Sequence, residues 1–129
     1  MLLAVVLPSV GWLLGEERPT NPVAPKIVLK PATLNLGNVP QQTQRTFELE
    51  IANEGTKTLL IKEVTASCGC TAAVVSQKMV RAHGSSRVRV TFNSLSFRGT
   101  IEKSVVIKSN DPQTPIKEFT FTAFVKPSR

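Results

Sequence analysis

The chain has 129 residues, of which 41% are hydrophobic and 19% are charged, with 7 glycines and 9 prolines. This composition is typical of one globular domain and excludes a collagen-like repeat, a disordered charged tail and a polytopic membrane protein. The net charge of +7 comes from lysines and arginines scattered singly along the chain, so we interpret it as a solvated surface and expect no nucleic-acid partner; an anionic envelope surface or an acidic partner protein is the alternative.

The first 15 residues contain no ionisable side chain, and their apolar run has about the length of a signal-peptide h-region, which is short for a membrane span. We therefore predict that residues 1–15 are an export signal or N-terminal apolar segment. The protein is then periplasmic or secreted, with no transmembrane domain after signal removal. The alternatives are an N-terminal core strand and an uncleaved membrane anchor. Residues 16–25 hold three prolines and few large apolar groups, which predicts a solvated tether before a domain over residues 26–129.

From Lys26 onward, apolar side chains recur at every second position, which is the spacing that places them on one face of a β-strand. Phe47, Leu49 and Ile51 form one such series, and turn residues such as Asn53-Glu54-Gly55 separate the series. The pattern predicts an all-β, Ig-like antiparallel β-sandwich of seven to eight strands. The predicted strands lie near residues 27–30, 33–36, 45–52, 58–65, 71–76, 87–93, 100–108 and 116–125.

Aromatic residues are few, since the only tryptophan is Trp12 and the chain has no tyrosine. The domain therefore lacks the core tryptophan and the tyrosine corner of antibody domains, and we expect it to be Ig-like in architecture only. The six phenylalanines fall mostly in the buried phase of strands, so they do not offer exposed rings on which bases could stack. This argues against sequence-specific RNA binding.

The segment Thr65–Thr71 reads TASCGCT and contains the only two cysteines, Cys68 and Cys70. In an extended strand, the Cα atoms of residues i and i+2 are about 6.5–7 Å apart, at or beyond the upper limit for an unstrained disulfide. A bond between the cysteines therefore requires a local contraction, which the conformational freedom of Gly69 permits. Such a disulfide is expected to be strained, easily reduced and too small in loop length to stabilise the fold much.

The same two cysteines are candidate ligands for a soft metal ion. Thiolates favour Cu(I) or Zn(II) over hard cations, and the chain has no second cysteine pair to complete a tetrahedral zinc site. Met79 and His83 follow within 13 residues of Cys70, and both side-chain types suit copper. The sequence therefore indicates a candidate Cu(I) site formed by Cys68, Cys70, Met79 and His83. Alternatively, Met79 fills the core and His83 is a solvated turn residue.

Thiol chemistry is the third use of the pair. A reactive thiolate needs a lowered pKa from a helix N-terminus, a nearby cation or a base, and no helix follows the motif. Serine-nucleophile, zinc-protease, phosphate-loop and dinucleotide motifs are absent from the sequence. We therefore predict no catalytic residues and no enzyme activity. Thiol oxidoreductase activity of the cysteine pair is the alternative.

An ordered set of motifs covers about residues 31–125, namely Asn53-Glu54-Gly55, Ser67-Cys68-Gly69-Cys70-Thr71, Phe97-Arg98-Gly99 and Ser109-Asn110-Asp111-Pro112. The set resembles the bacterial family of domains of unknown function 1573. This resemblance implies an exported protein with an Ig-like fold, akin to the sandwich domains of ciliary and centrosomal proteins. It implies no particular activity. Only Cys68, Gly69 and Cys70 carry over as a candidate site. Relatives commonly have proline where this chain has His83.

Three hypotheses follow for function. The first is an exported Ig-like binding or scaffold module that meets a protein partner in the cell envelope and carries the cysteine pair as a soft-metal site. The second is a thiol–disulfide redox protein that uses Cys68 and Cys70. The third is a structural envelope or adhesion module in which the two cysteines form an inert local link.

Overall fold

The computed structural model describes residues 23–127, which form nine strands and no helix. The predicted export signal and most of the predicted tether lie outside these residues. The strands are β1 (Ile27–Lys30), β2 (Thr33–Pro40), β3 (Gln44–Asn53), β4 (Leu59–Ala66), β5 (Thr71–Val75), β6 (Met79–Val80), β7 (Ser85–Asn93), β8 (Gly99–Ser109) and β9 (Ile116–Lys126).

The strands form two sheets, which confirms the predicted all-β sandwich. The first sheet has the order β1-β3-β7-β5 and is antiparallel throughout. The second has the order β2-β9-β8-β4-β6, in which β2 runs parallel to β9. This parallel pair departs from the predicted antiparallel arrangement. It arises because the chain changes sheets between Lys30 and Thr33, so that β1 and β2 continue in one direction on opposite layers.

The core lies between the sheets and consists of the alternating apolar residues that the sequence predicts. Leu49, Ile51, Val88, Val90 and Phe92 of the first sheet are at most 1% exposed. They face similarly buried residues of the second sheet, namely Val105, Ile107, Phe119 and Phe121. Because successive side chains of a strand point to opposite faces, one apolar series per strand is enough to fill this layer.

Two strands differ from the prediction for local reasons. β2 continues to Pro40 because a register shift between Asn35 and Asn38 accommodates Gly37, whose φ of +76° suits glycine. β6 has only two residues, Met79 and Val80, and pairs with the start of β4. A two-residue strand is too short to produce an alternating pattern, so periodicity could not predict it.

Asn53 joins three segments at one end of the sandwich. Asn53 is only 1% exposed. Its Oδ1 accepts the backbone N–H groups of Lys26 at 3.1 Å and Gly55 at 2.9 Å. Its Nδ2 donates to the carbonyl oxygens of Lys57 at 2.7 Å and Val80 at 2.9 Å. The segment before β1, the β3–β4 turn and β6 are thus held by one amide.

Gly55 belongs to the same junction because the segment before β1 passes directly over it. A Cβ atom at this position would collide with the carbonyl oxygen of Ala24 and would lie 2.6 Å from the backbone nitrogen of Lys26. Glu54 N–H donates to the Lys26 carbonyl at 2.9 Å, and Thr56 N–H donates to the Ala24 carbonyl at 2.9 Å. The turn therefore requires glycine for close backbone approach rather than for an unusual φ.

Asp111, the only aspartate of the sequence, secures β1 from the other sheet. It is 3% exposed, and its Oδ2 accepts the N–H of Ile27 at 2.9 Å. Its Oδ1 accepts the N–H groups of Gln113 at 2.8 Å and Thr114 at 3.2 Å. Burial alone raises the pKa of this carboxyl group. The three N–H donors and the positive charge of Lys117 outweigh burial and hold the pKa below its ordinary value of 3.8.

Candidate functional site

The two cysteines lie in the turn that carries the chain from β4 in the second sheet to β5 in the first sheet. Both ends of this turn are fixed by hydrogen bonds. Ser67 N–H donates to the Ser104 carbonyl at 2.9 Å, and Asn93 N–H donates to the Cys70 carbonyl at 2.9 Å. The turn itself is closed by Thr71 N–H, which donates to the Cys68 carbonyl at 3.2 Å. The pair is therefore held against β8 on one side and β7 on the other.

Cys68 and Cys70 are joined in a disulfide, and their Cα atoms are 5.3 Å apart. This distance lies within the ordinary disulfide range and is shorter than the spacing of an extended strand. The contraction accompanies the closed turn. Gly69 does not adopt a positive φ, and a Cβ atom there would meet nothing within 4 Å. The contraction therefore does not use the left-handed φ that glycine favours.

Gly69→Ala is accordingly expected to leave the domain and its disulfide intact. The added methyl group points into open space, so the free energy of unfolding should change by no more than about 0.5 kcal/mol. Chemical denaturation measures the free energy, and intact mass before and after alkylation without reductant measures the disulfide. Free thiols in the purified variant, or a larger loss of stability, would contradict this account of the turn.

The two sulfur atoms differ in environment. Cys70 is 8% exposed and packs at the margin of the core, whereas Cys68 is partly exposed. Cys70 N–H donates to the Sγ of Cys68 at 3.3 Å. The Thr71 hydroxyl lies 3.5 Å from the Sγ of Cys70 and 3.9 Å from that of Cys68. An incoming thiolate would thus reach Cys68 more readily than Cys70.

The structure does not bring Met79 and His83 to the cysteines. Met79 pairs with Leu60 at the start of β4, whereas the cysteines follow Ala66 at its end. At about 3.3 Å per residue, Leu60 and Ala66 are about 20 Å apart. Met79 is 67% exposed, so it is not core filler.

His83 occupies a left-handed turn with a φ of 64°, just before β7 begins at Ser85. The cysteine turn contacts the opposite end of β7, at Asn93, which is about 26 Å away along the strand. His83 is exposed, and its backbone N–H donates to the Asn53 carbonyl at 2.8 Å. Over residues 23–127, no three His, Cys, Asp or Glu side chains come together as potential metal ligands. The candidate copper ligands are therefore divided between the two ends of the sandwich.

Sequence reasoning did not identify β5 as an edge strand of the first sheet, whose other edge is β1. We call Thr71–Val75 the β5 edge. Ala72 and Val74 are exposed on it, Val74 to 66%. Their neighbours in β7 include Arg89, which lies opposite Val74. The strand reads TAAVV and contains no charge and no proline. Whether a strand lies at the edge of a sheet depends on the order of the strands. The alternation of apolar and polar residues along one strand does not indicate that order.

A family profile described as a protein of unknown function (DUF1573) matches residues 27–125. The chain belongs to this family. The match confirms the resemblance inferred from the SCGCT and SNDP motifs. Both motifs now have a structural position, the first at the β4–β5 turn and the second around Asp111.

Solved structures show the same fold. A protein of unknown function from Porphyromonas gingivalis W83 matches with a TM-score of 0.70 and 20% identity over 95% of this chain, which spans about half (52%) of that chain. The ASH/PapD-like domain 7 of human CEP192 matches with a TM-score of 0.62 and 13% identity over 88% of this chain and 94% of that one. The secreted serine protease VesC from Vibrio cholerae matches with a TM-score of 0.58 and 14% identity over 90% of this chain and 25% of that one. No curated protein matches the sequence.

Proposed function

We propose that this domain is an exported protein-binding module and that the β5 edge is its recognition strand. The observation that carries the proposal is the position of β5 at the end of the first sheet with an apolar, uncharged sequence. A sheet edge of this kind presents a row of unpaired backbone groups to which another extended chain can add. The described part of the chain, residues 23–127, has no helix long and apolar enough to cross a membrane.

The other three edges carry features that oppose strand addition. β1 has four residues, ends in Lys30 and lies between Lys26 and Pro31. β2 contains a register shift and ends in Pro40. β6 has two residues. Short edges, lysines, prolines and bulges are the devices by which proteins protect open strands, and β5 has none of them. This contrast supports β5 as the edge kept available for a partner.

Export is part of the proposal. The disulfide between Cys68 and Cys70 supports it, because disulfides persist in oxidising compartments, and the apolar residues 1–15 supply the expected signal. Fractionation of producing cells under alkylating conditions tests it. We expect the protein outside the cytoplasm, with both cysteines protected from alkylation. Cytoplasmic protein with two alkylated cysteines would contradict export.

The binding function is tested by photo-crosslinking in the producing cells. Benzoylphenylalanine at position 74 stands on the β5 edge, and the same group at position 100 stands on the exposed outer face of the second sheet as a control. We expect a discrete protein adduct from position 74 and none from position 100. The adduct should disappear when Ala73→Pro is added, because that change blocks the outer side of the strand. Equal adducts from both positions, or none from position 74, would contradict the proposal.

Thiol–disulfide exchange is a second candidate, favoured by the partial exposure of Cys68 and by the N–H of Cys70 directed at its sulfur. A dithiol partner would attack the Sγ of Cys68 and release Cys70 as a thiolate. The partner's second thiolate would then attack the partner sulfur of the mixed disulfide and release Cys68 as a thiolate. The partner is thus oxidised by two electrons, and the Cys68–Cys70 pair is reduced. Equilibration in graded glutathione buffers, followed by intact mass, tests it. Reduction at a glutathione poise typical of the envelope supports exchange, and a pair that stays oxidised in excess reduced glutathione excludes it.

The structural contribution of the disulfide is expected to be small. The double variant Cys68→Ser, Cys70→Ser removes a link between residues only two positions apart, so the lost chain-entropy effect should cost at most about 1.5 kcal/mol. Urea denaturation of the variant and of the oxidised protein provides the comparison. A loss well beyond this value would show that the link holds the sheets together, which its place within one turn does not predict.

A further inference from the structure

We infer that the partner of the β5 edge is an extended, acidic chain segment that adds to the first sheet as a fifth strand. The inference rests on the proposed binding function and specifies its chemistry. It is carried by two observations about the same strand: which of its backbone groups face outward, and which charged side chains stand on either side of it.

The pairing of β5 with β7 determines which backbone groups are open. Asn93 N–H donates to the Cys70 carbonyl at 2.9 Å, and Ser76 N–H donates to the Arg87 carbonyl at 2.8 Å. In an antiparallel pair, every second residue bonds to the neighbouring strand, so Ala72 and Val74 bond to β7. The N–H and C=O groups of Ala73 and Val75 therefore point away from β7, to a side where the described part of the chain places no further strand. An added strand would pair with these two residues.

On the outer face of the sheet, Arg87 and Arg89 stand beside the β5 edge. They form a shallow pocket of about 270 Å³ with Val74, Ser76 and Glu48. Among residues 23–127, Glu48 is the only carboxylate that pairs with these guanidinium groups, at 3.4 Å from Arg87 and 3.5 Å from Arg89. One half-exposed carboxylate shared by two arginines leaves donor capacity for an acidic side chain on an added strand.

On the other face of the β5 edge, which is turned towards the second sheet, a groove of about 350 Å³ separates β5 from β4. It is lined by Lys62–Val64, Ala73–Val75 and Lys78. The register of β4 shifts between Ile61 and Glu63, so Lys62 is the extra residue of the strand at this point. Glu63, the one carboxylate of the groove, pairs with Lys108 at 3.5 Å. No ion pair of residues 23–127 engages Lys62 or Lys78.

Four cations and two carboxylates thus flank the strand, and both carboxylates already pair with cations. A second copy of this chain on the β5 edge would bring two such sets of cations together, on molecules that each carry a net charge of +7. An acidic segment would instead place its alternate side chains against the arginines on one face and the lysines on the other. Charge complementarity therefore selects an acidic partner over self-pairing.

A fluorescein-labelled heptapeptide of sequence Val-Glu-Glu-Val-Glu-Glu-Val is the probe, because its glutamates fall on both faces of an extended strand. Fluorescence anisotropy with the oxidised protein should show binding that weakens as salt is raised, and the valine–lysine peptide should not bind. Lys62→Glu with Lys78→Glu should weaken binding of the acidic peptide about tenfold, because it reverses the charges on one of the two faces. The matched control Arg98→Glu with Lys126→Glu makes the same change of charge at two exposed residues beside β8 and on β9 of the other sheet, and it should leave the affinity for the acidic peptide unchanged.

The backbone part of the inference is tested separately. Ala73→Pro removes an outward N–H group and no bond to β7, so it should keep the fold and abolish binding. Should that variant fail to fold, a peptide methylated at alternate amide nitrogens gives the same test on the ligand side. Undiminished binding of the methylated peptide to the unaltered protein would overturn strand addition.

The outcomes also distinguish this inference from the proposed function. If neither peptide binds while the adduct from position 74 persists in cells, the acidic-strand inference fails and the binding function stands. If both results are negative, both fail. A concentration-dependent dimer that occupies the β5 edge in the absence of peptide would identify the partner as a second copy and overturn the inference.

Discussion

Asp111→Ala is expected to reduce the free energy of unfolding by about 3 kcal/mol or more. The substitution removes the acceptor of three backbone N–H groups, and that of Ile27 is left buried without a partner. Urea denaturation at neutral pH measures the loss. Glu63→Ala is the control, because the side chain of Glu63 is 55% exposed and forms only a surface ion pair with Lys108. Similar losses in the two variants would contradict the role assigned to Asp111.

The same carboxylate predicts a pH dependence of stability. Because its pKa in the folded protein is below 3.8, its contribution is fully present above the unfolded-state value and is lost as pH falls through the lower folded value. The difference in unfolding free energy between the unaltered protein and Asp111→Asn should therefore be constant near neutral pH and shrink below about pH 4. Denaturation curves from pH 7 to pH 2 measure it. A difference that stays constant through that range would show that the ionised form is not the one that holds β1.

Asn53→Ala is expected to have an effect of similar size, about 3 kcal/mol, because one buried amide forms four hydrogen bonds to the backbone. Asn53→Asp is the informative companion. It keeps an oxygen for the N–H groups of Lys26 and Gly55, but it places a carboxylate against the carbonyl oxygens of Lys57 and Val80. At neutral pH it should therefore be at least as damaging as alanine.

Thermal or urea denaturation of both Asn53 variants provides the measurement. Asn93→Ala is the control, because Asn93 is an exposed asparagine whose Oδ1 accepts one N–H, that of Leu95 at 3.1 Å. Its loss should cost less than about 1 kcal/mol. An Asn53→Asp variant as stable as the unaltered protein would mean that the two donated bonds contribute little.

The core could be predicted from the sequence because it depends on a property of single strands. Phe47, Leu49 and Ile51 alternate with polar residues, and in the structure they face the second sheet. The parallel placement of β2 could not be predicted in this way, since it depends on where the chain changes layers. The same limitation explains β6, which follows from pairing with β4 and not from its own two residues.

The sequence indicated Asn53 and Asp111 only as turn residues and not as buried side chains that hold distant segments together. Asp111 lies in the connection between β8 and β9, as predicted, whereas Asn53 is the last residue of β3. Both side chains are buried, and they bind β1 and the segment before it. Such a buried side chain differs from a solvated turn residue in having a hydrogen-bond partner that is distant in the sequence. Ile27 and Asp111 are 84 positions apart, so no local pattern connects them.

The predicted copper ligands show the opposite limitation. Cys68, Cys70, Met79 and His83 are close in sequence, and proximity suggested convergence. Strand β5 carries the chain away from the cysteine turn along the sandwich, so the cysteine turn and the Met79–His83 segment lie at opposite ends. In a sandwich, neighbours in space are determined by the strand ends that meet and not by the number of residues between them.

Hydrogen exchange of the last four amides of β5, those of residues 72–75, tests the central claim most directly. In the free protein, the amides of Ala72 and Val74 should exchange slowly because they bond to β7, and those of Ala73 and Val75 should exchange rapidly. Addition of the acidic peptide should slow the second pair and leave the first unchanged. Protection of Ala73 and Val75 in the free monomer equal to that of their neighbours would contradict the claim that this edge is open for a partner.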